Sequence, residues 1–266
     1  MTEANQVLLT RREGAVLVLS NNNVAARNAL SPEFYAAVSA ALKSAATDPT
    51  VGAVVLTGEG GHFCAGGDLR QLAKRRELPV QERRAKLEGL HDLIRSVRDF
   101  PKPVIAAVEG AAAGAGLSLA LACDMLVAAK NAVFSVAYVK VGLTPDGGAT
   151  AFLAEFVSRQ VLTELCLTGE RISGERLHAL GPVNRLSEPG QAQADAVALA
   201  AQVATGPDQA MALIKDLCRQ APRNTLEEQL ELEAQYMVRS QESEESREGI
   251  GAFLEKRAAD FTKLRG

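Results

Sequence analysis

Twice in its first half the chain runs from a short, fully apolar segment straight into glycine and alanine, and this pairing limits the fold more than any other feature. Residues 51–57 (VGAVVLT) lead into residues 58–69 (GEGGHFCAGGDL), and residues 103–108 (PVIAAV) lead into residues 109–123 (EGAAAGAGLSLALAC). Such apolar runs are buried strands. In the first turn, glycines let the backbone approach a ligand closely and take positive φ. A helix is expected to open near Asp68, with N–H groups directed at whatever sits there. In the second, small residues permit tight packing, and residues 117–123 continue as a buried helix whose start again offers free N–H groups at a positive dipole end. The alternative, less favoured for each taken alone, is a plain tight turn for the first segment and a close helix–sheet contact for the second. Facing one carbonyl oxygen together, they would make a two-donor oxyanion hole, in which losing one donor typically costs roughly 100- to 1,000-fold in rate.

The surrounding pattern is α/β. Val16-Leu17-Val18-Leu19 reads as another buried strand. Ser31-Pro32-Glu33 is a helix start, with a hydroxyl cap, proline at the first helical position and an acid near the positive end. Leu30, Phe34, Val38 and Leu42 recur every four residues and place one face of that helix on the sheet, and Asp48-Pro49 closes it. Residues 81–99 form a second amphipathic helix with Leu87, Leu90, Leu93, Ile94 and Val97 inward. Residues 125–128 and 132–135 read as short strands. From about residue 148 strands give way to helices, and Thr225 with Glu228 forms a capping box. Residues 242–264 read as one charged amphipathic helix that packs on a partner subunit or, alternatively, lies on its own. The expected organisation is a core over 1–200 carrying the site and a helical oligomerisation region over 201–266.

Composition narrows the function classes. The chain has 266 residues, 47% hydrophobic and 23% charged, with a formal net charge of −3. That balance suits a soluble globular protein and supplies no basic footprint for nucleic acid. No apolar run approaches the roughly 20 residues needed to span a bilayer, so no membrane association is expected. Residues 1–14 lack a charged stretch followed by a long apolar one, so no signal peptide is expected. Cys64, Cys123, Cys166 and Cys218 are widely spaced, as buried thiols in a reducing compartment are, and a cytoplasmic location is expected. His62, His91 and His178 have no metal-ligand spacing, so no metal is expected.

A third segment, residues 142–150 (GLTPDGGAT), sets Asp146 between a proline and two glycines in a turn that opens a helix. Asp146 reads either as a helix cap or as a base whose pKa burial near apolar substrate would raise. Better-known motifs fail. Leu119 stands where G-x-G-x-x-G needs its last glycine, no lysine supplies a P-loop, and Gly116-Leu117-Ser118-Leu119-Ala120 is only a near miss to G-x-S-x-G.

In order, these segments resemble the crotonase family, the enoyl-CoA hydratases and isomerases. The likeness rests on Arg27-Asn28-Ala29-Leu30, on residues 62–69 (HFCAGGDL), on residues 103–110 (PVIAAVEG) and on Gly114-Ala115-Gly116. It continues through Ala122-Cys123-Asp124, Phe134, Gly142 with Pro145-Asp146-Gly147-Gly148, and residues 248–257 (EGIGAFLEKR). The resemblance implies a crotonase-like spiral of ββα units with a helical C-terminal trimerisation region, assembled as a homotrimer or a dimer of trimers. It implies an acyl-CoA thioester as substrate, with coenzyme A entering as part of it and no separate cofactor. By likeness, the amides of Ala65 and Ala115 form the oxyanion hole. Arg27, Asn28 and Ala29, with Gly66, Gly67, Asp68 and Leu69, would line the nucleotide and pantetheine. Phe253 and Lys256 would contact coenzyme A, in part from a neighbouring subunit.

The departures from the family pattern matter as much. Hydratases of the family carry two glutamates, and Ser118 and Tyr138 stand at those positions. Asp146 falls where several isomerases of the family carry their acid. The pattern is therefore closest to an enoyl-CoA isomerase in which Asp146 moves a proton between carbons of one conjugated system through a (di)enolate. Hydration with Asp146 alone activating water, a nucleophilic Asp146 as in the related halobenzoyl-CoA dehalogenases, and a non-catalytic CoA-binding member remain as alternatives. The segment 71–84 is expected to border the acyl pocket.

Overall fold

Two sheets share the work, and the turns singled out above are where the chain passes from one to the other. The computed structural model describes residues 6–265. Residues 1–5, part of the stretch read for a targeting signal, lie outside the described residues. The larger sheet has the order β1-β2-β3-β4-β6-β9. It is built from β1 (Leu8–Glu13), β2 (Val16–Asn21), β3 (Ala53–Gly58), β4 (Val104–Val108), β6 (Met125–Ala129) and β9 (Arg185–Ser187). Only the β1–β2 hairpin pairs antiparallel; from β2 onward every pairing is parallel. The smaller sheet joins β5 (Ala111–Ala113), β7 (Val133–Ser135) and β8 (Ile172–Ser173). Thus β4 runs into β5 and β6 into β7, while the segment after β3 reaches the small sheet through a bridge from Cys64 to Ala112. A strand in the large sheet, a strand in the small one and a helix make the unit, and its repetition gives the crotonase-like ββα spiral.

The helices close the sheet faces. α1 (Pro32–Thr47) starts where Ser31 Oγ accepts from the Phe34 amide at 3.3 Å, and it buries Phe34, Val38, Leu42 and Ala45. It packs on α3 (Val80–Arg98), which buries Leu90, Leu93, Ile94 and Val97. α2 (Leu69–Arg75) and α4 (Ala115–Leu121) are short helices that begin at the two glycine-rich turns. Every residue of β4 is buried, as a central parallel strand covered on both faces must be. On the other side, α8 (Ala192–Val203) rests its alanines on β2, β3, β4 and β6, and Glu109 Oε1 accepts from its first amide at 2.8 Å.

Several expectations change. β1 was not read from its polar sequence, LLTRRE; it is an edge strand held by pairing with β2, and four of its six residues are exposed. Leu87 lies on the exposed side of α3, because the burial stripe begins one turn later at Leu90. Helices dominate after residue 148, as expected, with the short strands β8 and β9 completing the two sheets. The core continues through α8 to Val203, past the expected boundary at 200, and α9 (Asp208–Gln220) opens the helical region.

That region adds α10 (Leu226–Gln241), which carries the expected Thr225–Glu228 capping box, and α11 (Glu244–Leu254). The single helix expected over 242–264 therefore stops at Leu254. Lys256 turns left-handed (φ 55), and the chain finishes in a short 3-10 turn, Phe261–Leu264. One face of α11 does pack on its own chain: the buried Glu245 carboxylate accepts from the Gln209 and Ala210 amides at 2.9 and 3.0 Å and so caps α9. Among the described residues, no helix is long and apolar enough to cross a membrane.

Candidate active site

The two glycine-rich turns are held side by side by main-chain bonds. The Phe63 amide donates to the Glu109 carbonyl at 2.9 Å and the Cys64 amide to Ala111 at 2.9 Å, and the Ala113 amide returns a bond to Cys64 at 3.0 Å. The start of α4 then presses against Cys64. A Cβ on Gly116 would lie 2.4 Å from the Cys64 carbonyl oxygen, so only glycine fits there. Gly114, at φ 52 and ψ −126, gives α4 a start that an L side chain would strain. The close helix–sheet contact considered from sequence is real, and it also brings two sets of main-chain amides together.

Which amides are free differs from expectation at one position. Ala115 is the first residue of α4, where intrahelical partners are lacking, and its N–H is unpaired among the described residues. The Ala65 N–H is not free: it donates to the Arg27 carbonyl at 3.0 Å. The expected role of Ala65 as an oxyanion donor does not hold, because an amide already bonded to a carbonyl has no hydrogen left for a ligand. The Gly66 N–H faces Cys64 Sγ at 3.4 Å. After Ala65 and Gly66, Gly67 is the next residue whose N–H is unpaired among the described residues, and it is exposed. The clue in the sequence is its place before Asp68, which caps α2 by accepting from the Arg70 and Gln71 amides at 2.8 and 3.4 Å. Gly67 precedes the helix and follows the bridge, so neither claims its amide.

Asp146 does not cap α5 (Ala149–Ala154), whose cap position is Gly148. Its side chain turns elsewhere, and Oδ1 accepts from the Tyr138 hydroxyl at 2.7 Å. Ser118 Oγ donates to the Asp146 main-chain carbonyl at 2.9 Å and fixes the turn against α4. Ser118 is fully buried and Tyr138 nearly so. Burial raises the Asp146 pKa above the ordinary 3.8, against the opposing pull of the Tyr138 hydrogen bond and the positive fields of His91 and Arg75. The same burial pushes the Tyr138 phenol upward, and the Asp146 charge adds to it. Tyr35, on α1, has its hydroxyl pushed up to about 12, chiefly by burial, and senses both Arg75 and Asp146. Cys64 is buried and its thiol is raised to about 12, so it is no thiolate nucleophile.

The remaining predicted residues divide. Arg27 and Asn28 both adopt left-handed backbone (φ 51 and 59), and Arg27 is exposed beside the first turn. Asn28 is completely buried; its Nδ2 donates to the Glu59 and His62 carbonyls at 2.8 and 2.6 Å. Its side chain is thus a brace for the turn, not a ligand contact. Ala29 is buried, Gly66 is buried, and Leu69 is exposed at the head of α2. Phe253 (82% exposed) and Lys256 lie at the end of α11, which packs on α10 and the terminal turn. Among the described residues, no hydrogen bond joins either to the turns. Asp124, part of the Ala122-Cys123-Asp124 motif, is structural: it pairs with Lys215 at 2.7 Å and accepts from the Val104 amide at 2.7 Å. Among the described residues no group of His, Cys, Asp and Glu could hold a metal ion.

Free amides from two converging turns, beside a half-buried carboxylate of raised pKa, make a site suited to holding an oxyanion near a base. On this fold such a site defines a class of enzymes that work on activated carbonyls. The chain matches the enoyl-CoA hydratase/isomerase family model over residues 11–264, and it belongs to that crotonase family. It is 36% identical to 1,2-epoxyphenylacetyl-CoA isomerase of Escherichia coli K12 over 97% of this chain and 98% of that one. It is 34% identical to 2,3-dehydroadipyl-CoA hydratase of the same organism, covering 96% and 98%. Among solved structures, an enoyl-CoA hydratase from Polaromonas sp. JS666 is 48% identical, with a TM-score of 0.93 over 95% of this chain and 98% of the other.

The buried Asn28 amide gives a direct check on its role. Replacing it with alanine strips both turn carbonyls of their donor and should lower unfolding stability by about 2–3 kcal/mol in urea denaturation. Unchanged stability with weakened ligand binding would mean that the side chain serves the ligand instead.

Proposed function

We propose that this acyl-CoA enzyme is an enoyl-CoA isomerase in which Asp146 shuttles one proton and the Gly67 and Ala115 amides hold the thioester oxygen. The observation that carries the reading is the Tyr138–Asp146–Ser118 cluster, in which the Asp146 carboxylate accepts from Tyr138 and the Ser118 hydroxyl is turned onto the same residue's main chain. In a 3-enoyl-CoA the proton on C2 is acidified by the thioester. Asp146 takes it, and the C–H electron pair moves into the dienolate, whose negative oxygen is met by the two amides. The dienolate then collapses, and the protonated Asp146 returns the proton at C4. The double bond has moved to C2–C3, and nothing is gained or lost.

One carboxylate suffices for this exchange, because the acid of the second half-reaction is the base of the first. Hydration by two side chains asks for one group to take a proton from water and another to deliver one to C2. Ser118 and Tyr138, where family hydratases carry glutamates, do not supply that pair at neutral pH. The names of the relatives keep hydration by Asp146 alone as a second reading, since a hydratase stands beside an isomerase at similar identity. Coenzyme A would run past Arg27, Ala29, Gly66, Asp68 and Leu69 at the first turn.

The apolar residues left outside on the C-terminal helices support an assembly of three or six copies. Leu226, Leu230, Met237, Val238, Ile250, Phe253 and Leu254 are all exposed in one chain. So large an unpaired apolar surface in a soluble protein marks an interface. It is also the setting in which Phe253 and Lys256 could reach a neighbour's coenzyme A.

Two outcomes are expected. Wild-type enzyme converts 3-enoyl-CoA to 2-enoyl-CoA, and Asp146→Asn lowers kcat by at least about 100-fold with KM little changed. The base works only when deprotonated and burial raises its pKa, so the acid limb of the wild-type kcat/KM profile should lie above pH 3.8. Full turnover in the asparagine variant would exclude the role. Sedimentation equilibrium should return three or six times the mass of one chain, and a monomer at micromolar concentration would contradict the assembly.

A further inference from the structure

The hydroxyl of Tyr138 has one hydrogen to give, and the geometry decides where it goes. Asp146 Oδ1 lies 2.7 Å away, the Asp146 main-chain carbonyl 3.2 Å away, and Ser118 Oγ 3.3 Å away. A carboxylate oxygen is the strongest acceptor of the three and also the nearest, so the hydrogen is committed to Oδ1. The single hydrogen of Ser118 is likewise committed, to the Asp146 carbonyl at 2.9 Å. None is left for the contact between the two hydroxyls, which is a packing contact. The phenol ring is held in place from behind, with its Cζ 3.8 Å from where a Cβ on Gly114 would stand, immediately before the Ala115 amide.

We infer that Tyr138 is a positioning residue which reserves Oδ1 of Asp146 for its own hydroxyl hydrogen and leaves Oδ2 as the atom that exchanges a proton with substrate. This rests on the isomerase reading above, and it adds the atom. Tyr138 does not carry the proton itself, because losing its hydrogen would leave a buried phenolate against a carboxylate. Its fixed donor bond turns the carboxylate so that one oxygen faces the Ser118–Tyr138 wall, and the other makes no hydrogen bond among the described residues. The same bond favours the charged form of Asp146 and offsets part of what burial costs. The other charged or titratable groups near Asp146 are Arg75 on α2, His91 on α3 and Tyr35 on α1, with Cys64 close to Tyr35. His91 also lies 3.5 Å from Glu88. The fields of these groups act equally with and without the tyrosine hydroxyl, and a difference between two proteins removes them.

The test is Tyr138→Phe, which keeps the ring and deletes only the donor. Protein labelled with carboxyl-13C aspartate is titrated by NMR, with the Asp146 signal assigned from its loss in Asp146→Asn. The Asp146 midpoint in Tyr138→Phe should lie about one pH unit or more above wild type. The acid limb of kcat/KM for 3-enoyl-CoA should move by the same amount, with KM little changed. Equal midpoints in the two proteins would overturn the assignment, since a tyrosine that merely fills space would not move them. If Tyr138→Phe does not fold, the unsubstituted enzyme labelled at tyrosine 13Cζ carries the test. With three tyrosines in the chain, Tyr35→Phe and Tyr236→Phe identify the third signal. That signal must follow the Asp146 titration; one indifferent to it also overturns the assignment. Absence of isomerisation in the wild type would instead remove the isomerase reading, while the NMR midpoints still decide the tyrosine's role.

Discussion

The bridge between Cys64 and the β5 strand is the contact on which the rest depends. Through it, main-chain bonds from Phe63 and Cys64 to Glu109 and Ala111, and from Ala113 back to Cys64, clamp two distant segments into one surface. Once they are clamped, the first turn lies against the start of α4: a Cβ on Gly66 would stand 3.7 Å from the Ala115 nitrogen. The clamp tolerates no side chain at Gly116, where a Cβ would sit 2.4 Å from the Cys64 oxygen. The glycine and alanine content of both turns is thus the condition for the main chains to approach at all, and the free amides follow from that approach.

The base is set into this surface by a different route. Asp146 belongs to a turn between β7 and β8, and it is tied to α4 through Ser118 and to the preceding 3-10 turn through Tyr138. Burial pushes the carboxyl upward; the tyrosine donor and the fields of His91 and Arg75 oppose that push. The balance leaves a carboxylate more basic than an exposed aspartate yet still able to ionise, which is the property a proton shuttle needs.

Much of this was legible because the informative residues are constrained locally. Ser31 with Pro32 marks a helix start whatever surrounds it, and so does Asp68. Fully apolar runs such as residues 103–108 admit little but a central strand. The errors come from tertiary context. β1 is polar because it is an edge strand, and only its partner makes it a strand. The break at Lys256 depends on how the tail folds back, where Arg257 pairs with Glu248 at 2.7 Å and Glu248 accepts from the Asp260 amide at 2.8 Å. Ala65 was misread because its competitor, the Arg27 carbonyl, lies 38 residues away in sequence. Asn28 was misread for a similar reason, since its partners Glu59 and His62 come from the next unit of the spiral.

The central claim is that this site makes an enolate by moving a proton from the carbon beside a thioester carbonyl. Proton NMR of a 3-enoyl-CoA in D2O with the enzyme reads that step directly. The account predicts loss of the C2 proton signal or its migration to C4 with wild type, and neither with Asp146→Asn. An acyl-CoA that binds the wild-type enzyme yet keeps its C2 protons indefinitely, across short, long and aryl chains, would contradict it.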